Sequence, residues 1–246
     1  MQALGITATD TDAGKTIVSG ALASAFYIRG IKTGVYKPCA SGCIKRDNGT
    51  LLSTDADFLL HSCGLEDKDH DKVVSYVLEP ALAPAEASKI ENVHLDTAVM
   101  VKNGREMIKT HEMTVVEGVG GISAPLIEDY LAKDFFKDLS LPIIIVVQPV
   151  LGNVNHAVLT AEYAKNHGLK VLGFIVNNWD ENKAGILEKS NLYYYEKLTK
   201  LPVLGKLPKL SKDLVTGRHP KELAKVVEEN IEIDKIIKLL GGIVHE

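Results

Sequence analysis

Continuous apolar runs of strand length alternate along this chain with segments of helical periodicity. The apolar runs cover residues 3–8, 33–36, 114–116, 143–147 and 171–176. They are rich in Val and Ile and mostly lack polar alternation, which is typical of strands covered on both faces. The helical segments cover residues 14–29, 54–61, 93–110 and 156–167, and Gly30 and Gly168 mark two of their ends. This alternation predicts an α/β fold with a mostly parallel sheet and helices on both faces.

The length and composition fit one globular domain spanning residues 1–246, with 46% hydrophobic and 24% charged residues. The net charge of −4 argues against a nucleic-acid partner. The first ten residues lack the basic region and the apolar stretch of a signal peptide, so we expect a cytoplasmic protein with no membrane contact. Residues 220–240 predict one amphipathic C-terminal helix, whose four lysines and five acidic residues do not make a basic membrane anchor.

Three cysteines, Cys39, Cys43 and Cys63, are present in the sequence. No CxxC pair accompanies them, and an odd number does not suggest a disulfide framework. We therefore expect free thiols rather than a zinc site.

The segment ATDTDAGKT, which begins at Ala8, follows an apolar run and opens a helical segment, as a phosphate-binding loop does. Backbone N–H groups around Gly14 and the helix dipole favour a phosphate at this point. Lys15 supplies a positive charge for the β- and γ-phosphates, and the Thr16 hydroxyl is placed to bind Mg²⁺. Thr9 occupies the first glycine position of the strict GxxxxGK[ST] pattern. If the backbone at Ala8 needed a positive φ, alanine would cost about 1–2 kcal/mol.

Two carboxylates are candidates for completing a magnesium site. Glu117 closes an apolar run and precedes a glycine-rich loop, so it should lie at the carboxyl edge of the sheet, where ligands bind. A solvated glutamate at a strand end is the alternative. Asp55 lies at a predicted helix start, where Asp is equally common as a helix cap.

Polar residues also end two other predicted strands. Lys37 follows the second strand and would place a second cation beside Lys15, suited to an anionic substrate that becomes phosphorylated. Asn177 and Asn178 end the last strand, where an amide can both donate to and accept from an adenine edge. Guanine-specific loops commonly offer an acidic residue after an Asn-Lys pair, and no Lys follows here, so ATP is favoured over GTP.

Six motifs occur in order along the chain: TDTDAGKT, YKPCASG, STDA, VVEGVGG, LGNVNHAVLT and GFIVNN. With these motifs the chain resembles the dethiobiotin synthetases, ATP-dependent carboxylases of the biotin pathway, from about residue 5 to about residue 210. The resemblance implies a single P-loop NTPase-like domain. It also implies that one amine of 7,8-diaminononanoate takes up CO₂ as a carbamate, that ATP phosphorylates the carbamate, and that the second amine closes the ring of dethiobiotin.

The resemblance also implies site residues. The implied ATP site contains Asp12, Ala13, Gly14, Lys15, Thr16, Ile17, Asp55, Glu117, Gly118, Val119, Gly120, Asn177, Asn178, Pro208, Lys209 and Leu210. The implied substrate site contains Thr11, Asp12, Lys37, Ser41, Gly152, Asn153, Val154 and Asn155. The implied catalytic residues are Lys15 and Lys37, and the implied Mg²⁺ ligands are Thr16, Asp55 and Glu117. The family would act as a homodimer, with the substrate carboxylate received at residues 152–155 across the interface.

Two other classes of ATPase remain as alternatives. A cobyrinate-type amide ligase activates a carboxylate and normally carries a glutamine-hydrolysing domain, for which 246 residues leave no room. A partition-type switch ATPase carries an additional lysine early in the phosphate loop, where this chain has Asp10, and often a basic anchoring helix.

Overall fold

A computed structural model of the protein describes residues 1–216 and 218–242. The strands are β1 Gln2–Ala8, β2 Thr33–Ala40, β3 Ile44–Lys45, β4 Leu51–Leu52, β5 Val74–Val77, β6 Met113–Glu117, β7 Pro125–Ile127, β8 Tyr130–Leu131, β9 Ile143–Val147, β10 Val171–Trp179 and β11 Val203–Pro208. The helices are α1 Lys15–Ile28, α2 Thr54–Ser62, α3 His70–Val73, α4 Pro84–Glu91, α5 Thr97–Thr110, α6 Ala132–Asp138, α7 Asn153–Asn166, α8 Ile186–Thr199, α9 Lys212–Thr216, α10 Pro220–Asn230 and α11 Ile233–Leu239.

In the described part of the chain, seven strands form the central sheet in the order β11-β10-β9-β1-β6-β2-β5. Every neighbouring pair in this sheet is parallel. The predicted α/β fold with a parallel sheet is therefore confirmed. Because parallel strands end at the same edge, the residues that follow β1, β2, β6 and β10 are brought to one side of the molecule.

Helices cover the sheet on both faces, as the side chains of β9 show. Ile145 and Val147 belong to a cluster with α7 and α8 residues, whereas Ile144 and Val146 belong to the main core. The main core continues from Leu4 in the first strand into the last helix, so the described chain forms one domain.

Several boundaries differ from the sequence prediction in ways that move functional residues. β2 extends to Ala40 and β10 to Trp179, so Lys37 and Asn177 lie inside strands instead of ending them. α5 begins at Thr97 rather than at residue 93, because the Asp96 side chain accepts hydrogen bonds from the first N–H groups of the helix. α7 begins at Asn153 rather than at residue 156, with Gly152 as its N-cap.

The predicted single C-terminal helix is wrong, since α10 and α11 are separate helices. The chain leaves α10 at Ile231, which is buried and pairs with Gly205 of β11 in an antiparallel bridge. α10 packs on α1, and the Arg29 guanidinium holds both oxygens of Glu228 at 2.6 and 2.7 Å. Within residues 1–216 and 218–242, no helix has the length and apolar character needed to cross a membrane.

Candidate active site

A cavity of about 510 Å³ opens at the carboxyl edge of the sheet, beside the first turn of α1. Twelve of the predicted site residues line it: Thr11, Asp12, Gly14, Lys15, Thr16, Ile17, Lys37, Ser41, Asp55, Glu117, Val119 and Gly120. The structure thus brings together residues from the loop after β1, from β2, from α2 and from the end of β6.

The loop between β1 and α1 has the backbone form that a phosphate site needs. Gly14 has a φ of 95°, in the left-handed region that favours glycine, and it caps the N-terminus of α1. Ala8 is the last residue of β1 and has strand geometry, so an alanine at this position costs nothing. The first N–H groups of a helix have no intrahelical acceptor, and the residues that begin α1, Lys15 and Thr16, line the cavity.

Lys15 is buried at the base of this loop, with 5% of its surface exposed. Its Nζ donates to the backbone oxygens of Asp10 at 3.3 Å and Thr11 at 3.1 Å. Burial lowers the pKa of Lys15, and the nearby Lys37 lowers it further while Glu117 opposes the shift. An anionic ligand in the cavity would satisfy this ammonium better than two carbonyl oxygens do.

A charged cluster forms the far wall of the cavity, with Lys37 between two carboxylates. Its Nζ donates to Glu117 Oε1 at 2.7 Å and also bonds to Asp55 Oδ2. The Thr16 hydroxyl donates to the same Glu117 Oε1 at 2.9 Å. Burial acts to lower the pKa of Lys37, but the two carboxylates together outweigh burial and leave this pKa raised. Lys37 is therefore an ammonium held as the counter-ion of the cluster.

The second oxygen of Glu117, Oε2, is buried and has no hydrogen-bond partner among the residues that the structure describes. Such an oxygen is costly unless something binds it. Together with the Thr16 hydroxyl and the Asp55 carboxylate, it forms a set of hard oxygen donors, which is the set that Mg²⁺ prefers. These three residues therefore fit the metal that the sequence implied.

Asn177 connects β10 to the phosphate loop. It is 3% exposed, and its Nδ2 donates to the Ala13 carbonyl oxygen at 3.0 Å. Its Oδ1 is buried, and within the described part of the chain nothing donates a hydrogen bond to it. The amide is thus oriented so that its oxygen remains available as an acceptor.

Other predicted residues lie outside the lining of this cavity. Asn178 is exposed with a φ of 59°, at an irregularity in the pairing of β10 with β11. Gly118 packs against the Phe136 ring, which lies 2.7 Å from where a Cβ would stand. The adenine candidates Pro208, Lys209 and Leu210 lie at the end of β11, next to Asn177 through the pairing of β10 with β11.

The predicted carboxylate site, residues 152–155, forms the first turn of α7 on the other side of the phosphate loop. Asn153 is buried, and its side chain is engaged within the protein: Nδ2 donates to Thr9 Oγ1 at 3.2 Å, and Oδ1 accepts from the Tyr195 hydroxyl at 3.0 Å. Asn155 is exposed. At this end of α7, the backbone and the Asn155 side chain are therefore the groups that a ligand could contact.

Of the described residues that line the cavity, six were not predicted from the sequence: Cys39, Thr54, Asp57, Phe58, Val215 and Thr216. Cys39 had a usable signal, because it stands two residues after Lys37 and so shares its face of β2. Thr54 and Asp57 are neighbours of Asp55 in α2. Val215 and Thr216 carried no signal, because α9 reaches the cavity only through tertiary packing.

Comparison with known proteins gives consistent relatives. A family model described as an AAA domain (AAA_26) matches residues 2–214. The chain is 37% identical to the ATP-dependent dethiobiotin synthetase BioD of Bacillus velezensis, covering 97% of this chain and 98% of the relative. It is 34% identical to the enzyme of the same name from Thermodesulfovibrio yellowstonii, covering 95% and 98%.

Solved structures with a similar fold are more distant in sequence. The MinD cell division protein of Aquifex aeolicus aligns with a TM-score of 0.61 and 14% identity, covering 100% of this chain and 99% of that one. A ParA family ATPase from Chlorobium tepidum aligns with a TM-score of 0.55 and 14% identity, covering 96% and 97%. At these identities the likeness shows a common P-loop fold and nothing more.

Proposed function

The chain belongs to the ATP-dependent dethiobiotin synthetase family, and from this premise we propose that it converts 7,8-diaminononanoate, CO₂ and ATP into dethiobiotin, ADP and phosphate. The observation that carries the proposal is the placement of two buried lysines, Lys15 and Lys37, with Asp55 and Glu117 in one cavity beside the phosphate loop. Two cations suit a reaction in which an anionic carbamate meets an anionic phosphate.

The proposed chemistry has three steps. One amine adds to CO₂ and loses a proton, which gives a carbamate. A carbamate oxygen attacks the γ-phosphorus of ATP, and the bond to the bridging oxygen breaks as ADP leaves. The second amine then attacks the carbonyl carbon, loses its proton to solvent and expels phosphate, which closes the ring.

Each residue of the cluster has a role in this scheme. Lys15 leaves its two carbonyl partners and binds the oxygens of the transferring phosphoryl group. Lys37 turns from Asp55 and Glu117 towards the carbamate, which lowers the repulsion between carbamate and phosphate. Thr16, Asp55 and Glu117 would hold Mg²⁺, which when bound supplies charge neutralisation for the β- and γ-phosphates.

ATP is the proposed nucleotide because of the orientation of Asn177. Its Nδ2 is used by the Ala13 carbonyl oxygen, so only Oδ1 is left for a base. The adenine amino group can donate to that oxygen, whereas the guanine O6 would face it as a second acceptor. Pro208, Lys209 and Leu210 would form the adjoining wall of the adenine site, and Ala13, Ile17, Gly118 and Asn178 would support it.

The remaining substrate contacts are proposed at two places. Thr11, Asp12 and Ser41 line the cavity beside Lys37 and would contact the diamine end. The carboxylate would bind at the N-terminus of α7, where the backbone N–H groups of the first turn and the dipole favour an anion. Gly152, Val154 and Asn155 would form this seat.

We further propose that the protein forms a homodimer in which the carboxylate seat of one subunit binds the substrate held in the cavity of the other. Large apolar side chains are exposed on the turn before α7 and on α7 and α8; Leu151 is 85% exposed, Leu159 61% and Ile186 91%. An exposed group of this kind favours association, and a second copy would bring its cavity to this helix end. We expect the Leu151→Asp variant to sediment as a monomer and to have lost diamine-dependent turnover. A variant that still sediments as a dimer, or a monomer with full activity, would contradict the proposal.

The function is tested by supplying diaminononanoate, ¹³C-bicarbonate and Mg²⁺–ATP, then following ADP and the mass of the product. We expect ADP release that depends on the diamine, together with one labelled carbon in the ureido product. ADP release without the diamine would favour a switch ATPase. A requirement for glutamine and a carboxylate acceptor would favour the amide ligase.

A further inference from the structure

A hydrogen-bond chain links α8 to the phosphate loop through the first turn of α7. The Tyr195 hydroxyl lies 3.0 Å from Asn153 Oδ1 and also 3.0 Å from the Gln148 carbonyl oxygen, so these two acceptors share one donor. Asn153 Nδ2 continues the chain to Thr9 Oγ1 at 3.2 Å. Thr9 begins the phosphate loop, and its N–H donates to the Val146 oxygen at 3.1 Å.

The residues of this hydrogen-bond series are held in place by packing. Tyr195 is fully buried between β10 and α7, with its ring 5.6 Å from that of Phe174. Asn153 is 6% exposed. This buried amide is bonded at one end to Thr9 and at the other to Tyr195, so its position is tied to both residues.

A second link runs in parallel through the segment that joins β9 to α7. Gln148 Nε2 donates to the Asp12 carbonyl oxygen at 3.0 Å, and Asn191 Nδ2 of α8 donates to the Val150 oxygen at 2.9 Å. The turn that precedes α7 is thus bonded to the phosphate loop on one side and to α8 on the other. Its position depends on both.

We propose that Tyr195, Asn153 and Thr9 form a positioning network that fixes the carboxylate seat of α7 relative to the phosphate loop. This inference rests on the proposed function and assigns Asn153 to the network instead of to direct side-chain contact with substrate. In the proposed homodimer, the seat of each subunit receives the carboxylate of the diamino acid bound in its partner's cavity, and the network holds this seat in a fixed position on its own subunit.

The test compares the natural substrate with octane-2,3-diamine, which keeps both amines and the chain but lacks the carboxylate. Tyr195→Phe and Thr9→Val each remove one hydroxyl at nearly constant volume, and Thr9→Ser retains the hydroxyl. Tyr163→Phe serves as the matched control, because it removes a tyrosine hydroxyl from α7 outside the network. The readouts are the KM and kcat of the diamino acid, the inhibition constant of octane-2,3-diamine, and the melting temperature of each variant.

We expect Tyr195→Phe and Thr9→Val each to raise the KM for the diamino acid about fivefold, the effect of one hydrogen bond. The inhibition constant of octane-2,3-diamine should stay within about twofold of wild type, since it has no carboxylate to place. The double variant should be little worse than either single one, and Thr9→Ser should restore the KM.

The positioning role would be overturned if the KM for the diamino acid and the inhibition constant of octane-2,3-diamine rose by the same factor. It would also be overturned if the increases in KM were additive in the double variant. A wild-type KM in Tyr195→Phe would overturn it as well. If the wild-type enzyme turned over no diaminononanoate, the proposed function itself would fail and this inference with it. If the wild-type enzyme turned over diaminononanoate but the variants weakened binding of the acid and of the diamine equally, only the positioning network would be refuted.

Discussion

Replacing Lys37 by glutamine separates two roles of this residue, one visible as ion pairs in the structure and one proposed for the reaction. In the unliganded protein its ammonium is the counter-ion of Glu117, whose side chain is 1% exposed, and of Asp55, whose side chain is 42% exposed. In the proposed reaction the same ammonium binds the carbamate. The first role concerns stability and the second concerns turnover, so the two losses can be measured independently.

The magnitude for stability follows from burial. Breaking a buried ion pair by removing one partner costs about 3–5 kcal/mol. The glutamine amide can donate one hydrogen bond, worth about 1 kcal/mol, and the exposed Asp55 adds little. We therefore expect Lys37→Gln to lose about 2–4 kcal/mol of unfolding free energy, or about 4–16 °C in melting temperature for a chain of this length.

The magnitude for turnover follows from lost electrostatic stabilisation. Removing one preorganised donor to a developing charge typically lowers kcat about 10²–10³-fold. Nucleotide affinity should be nearly unchanged, because Lys15 and the loop remain. Mg²⁺–ADP should restore most of the lost melting temperature, since a divalent cation can take over the two carboxylates.

The assay combines thermal melts with and without Mg²⁺–ADP, calorimetric titration of the nucleotide, and diamine-dependent ADP release. Lys89→Gln is the control, because the Lys89–Glu86 pair is exposed and should change neither quantity. Turnover within about tenfold of wild type would remove Lys37 from the chemistry. An unchanged melting temperature would refute its role as counter-ion.

Three further predictions concern the nucleotide and the thiols. Asn177→Ala should raise the KM for ATP by about tenfold and reduce discrimination against GTP, as steady-state kinetics with both nucleotides will show; retained discrimination would contradict the role of Oδ1. Gly14→Ala should abolish nucleotide binding measured by calorimetry, while the far-ultraviolet circular dichroism spectrum stays native. The Cβ of the alanine would stand 2.0 Å from Asn177 Nδ2, at a residue whose backbone is left-handed. Nucleotide affinity near that of the wild type would refute this. All three thiols are buried, namely Cys39, Cys43 and Cys63, and burial raises the pKa of Cys39 and Cys63 to about 12. Ellman's reagent at pH 8 should therefore label the native protein slowly and should label all three thiols after unfolding. Rapid labelling of the native protein would contradict the burial.

The convergence of the site could be predicted because it depends on strand direction alone. Lys15, Lys37 and Glu117 follow or lie near the carboxyl ends of three parallel strands, and such ends always meet at one edge. The phosphate loop was equally readable, since its chemistry is contained in consecutive residues. The ion pairs that join Lys37 to Asp55 and Glu117 could not be read, because they depend on side-chain directions.

Strand lengths were predicted poorly for a physical reason. The apolar run predicts a strand that ends at Tyr36, but β2 continues to Ala40 because its pairing passes from β6 to β5. β5 and β11 were missed altogether. Both are edge strands, only partly buried, and their sequences lack a continuous apolar run.

The connections between distant segments also escaped sequence reasoning. Tyr195 lies 42 residues from Asn153 along the chain, and no periodicity links them. Its ring packs against that of Phe174. The hydroxyl at the end of its ring adds a polar role that only the fold defines. The break between α10 and α11 has the same origin, since it serves pairing of Ile231 with β11.

The most direct test of the account is a crystal structure with Mg²⁺, a non-hydrolysable ATP analogue, the diamine and bicarbonate. We predict the triphosphate on residues 14–16, a metal ion bound by Thr16, Asp55 and Glu117, and the Lys37 ammonium on the carbamate. A nucleotide bound elsewhere, or Lys37 still between its two carboxylates beside a bound triphosphate, would contradict it.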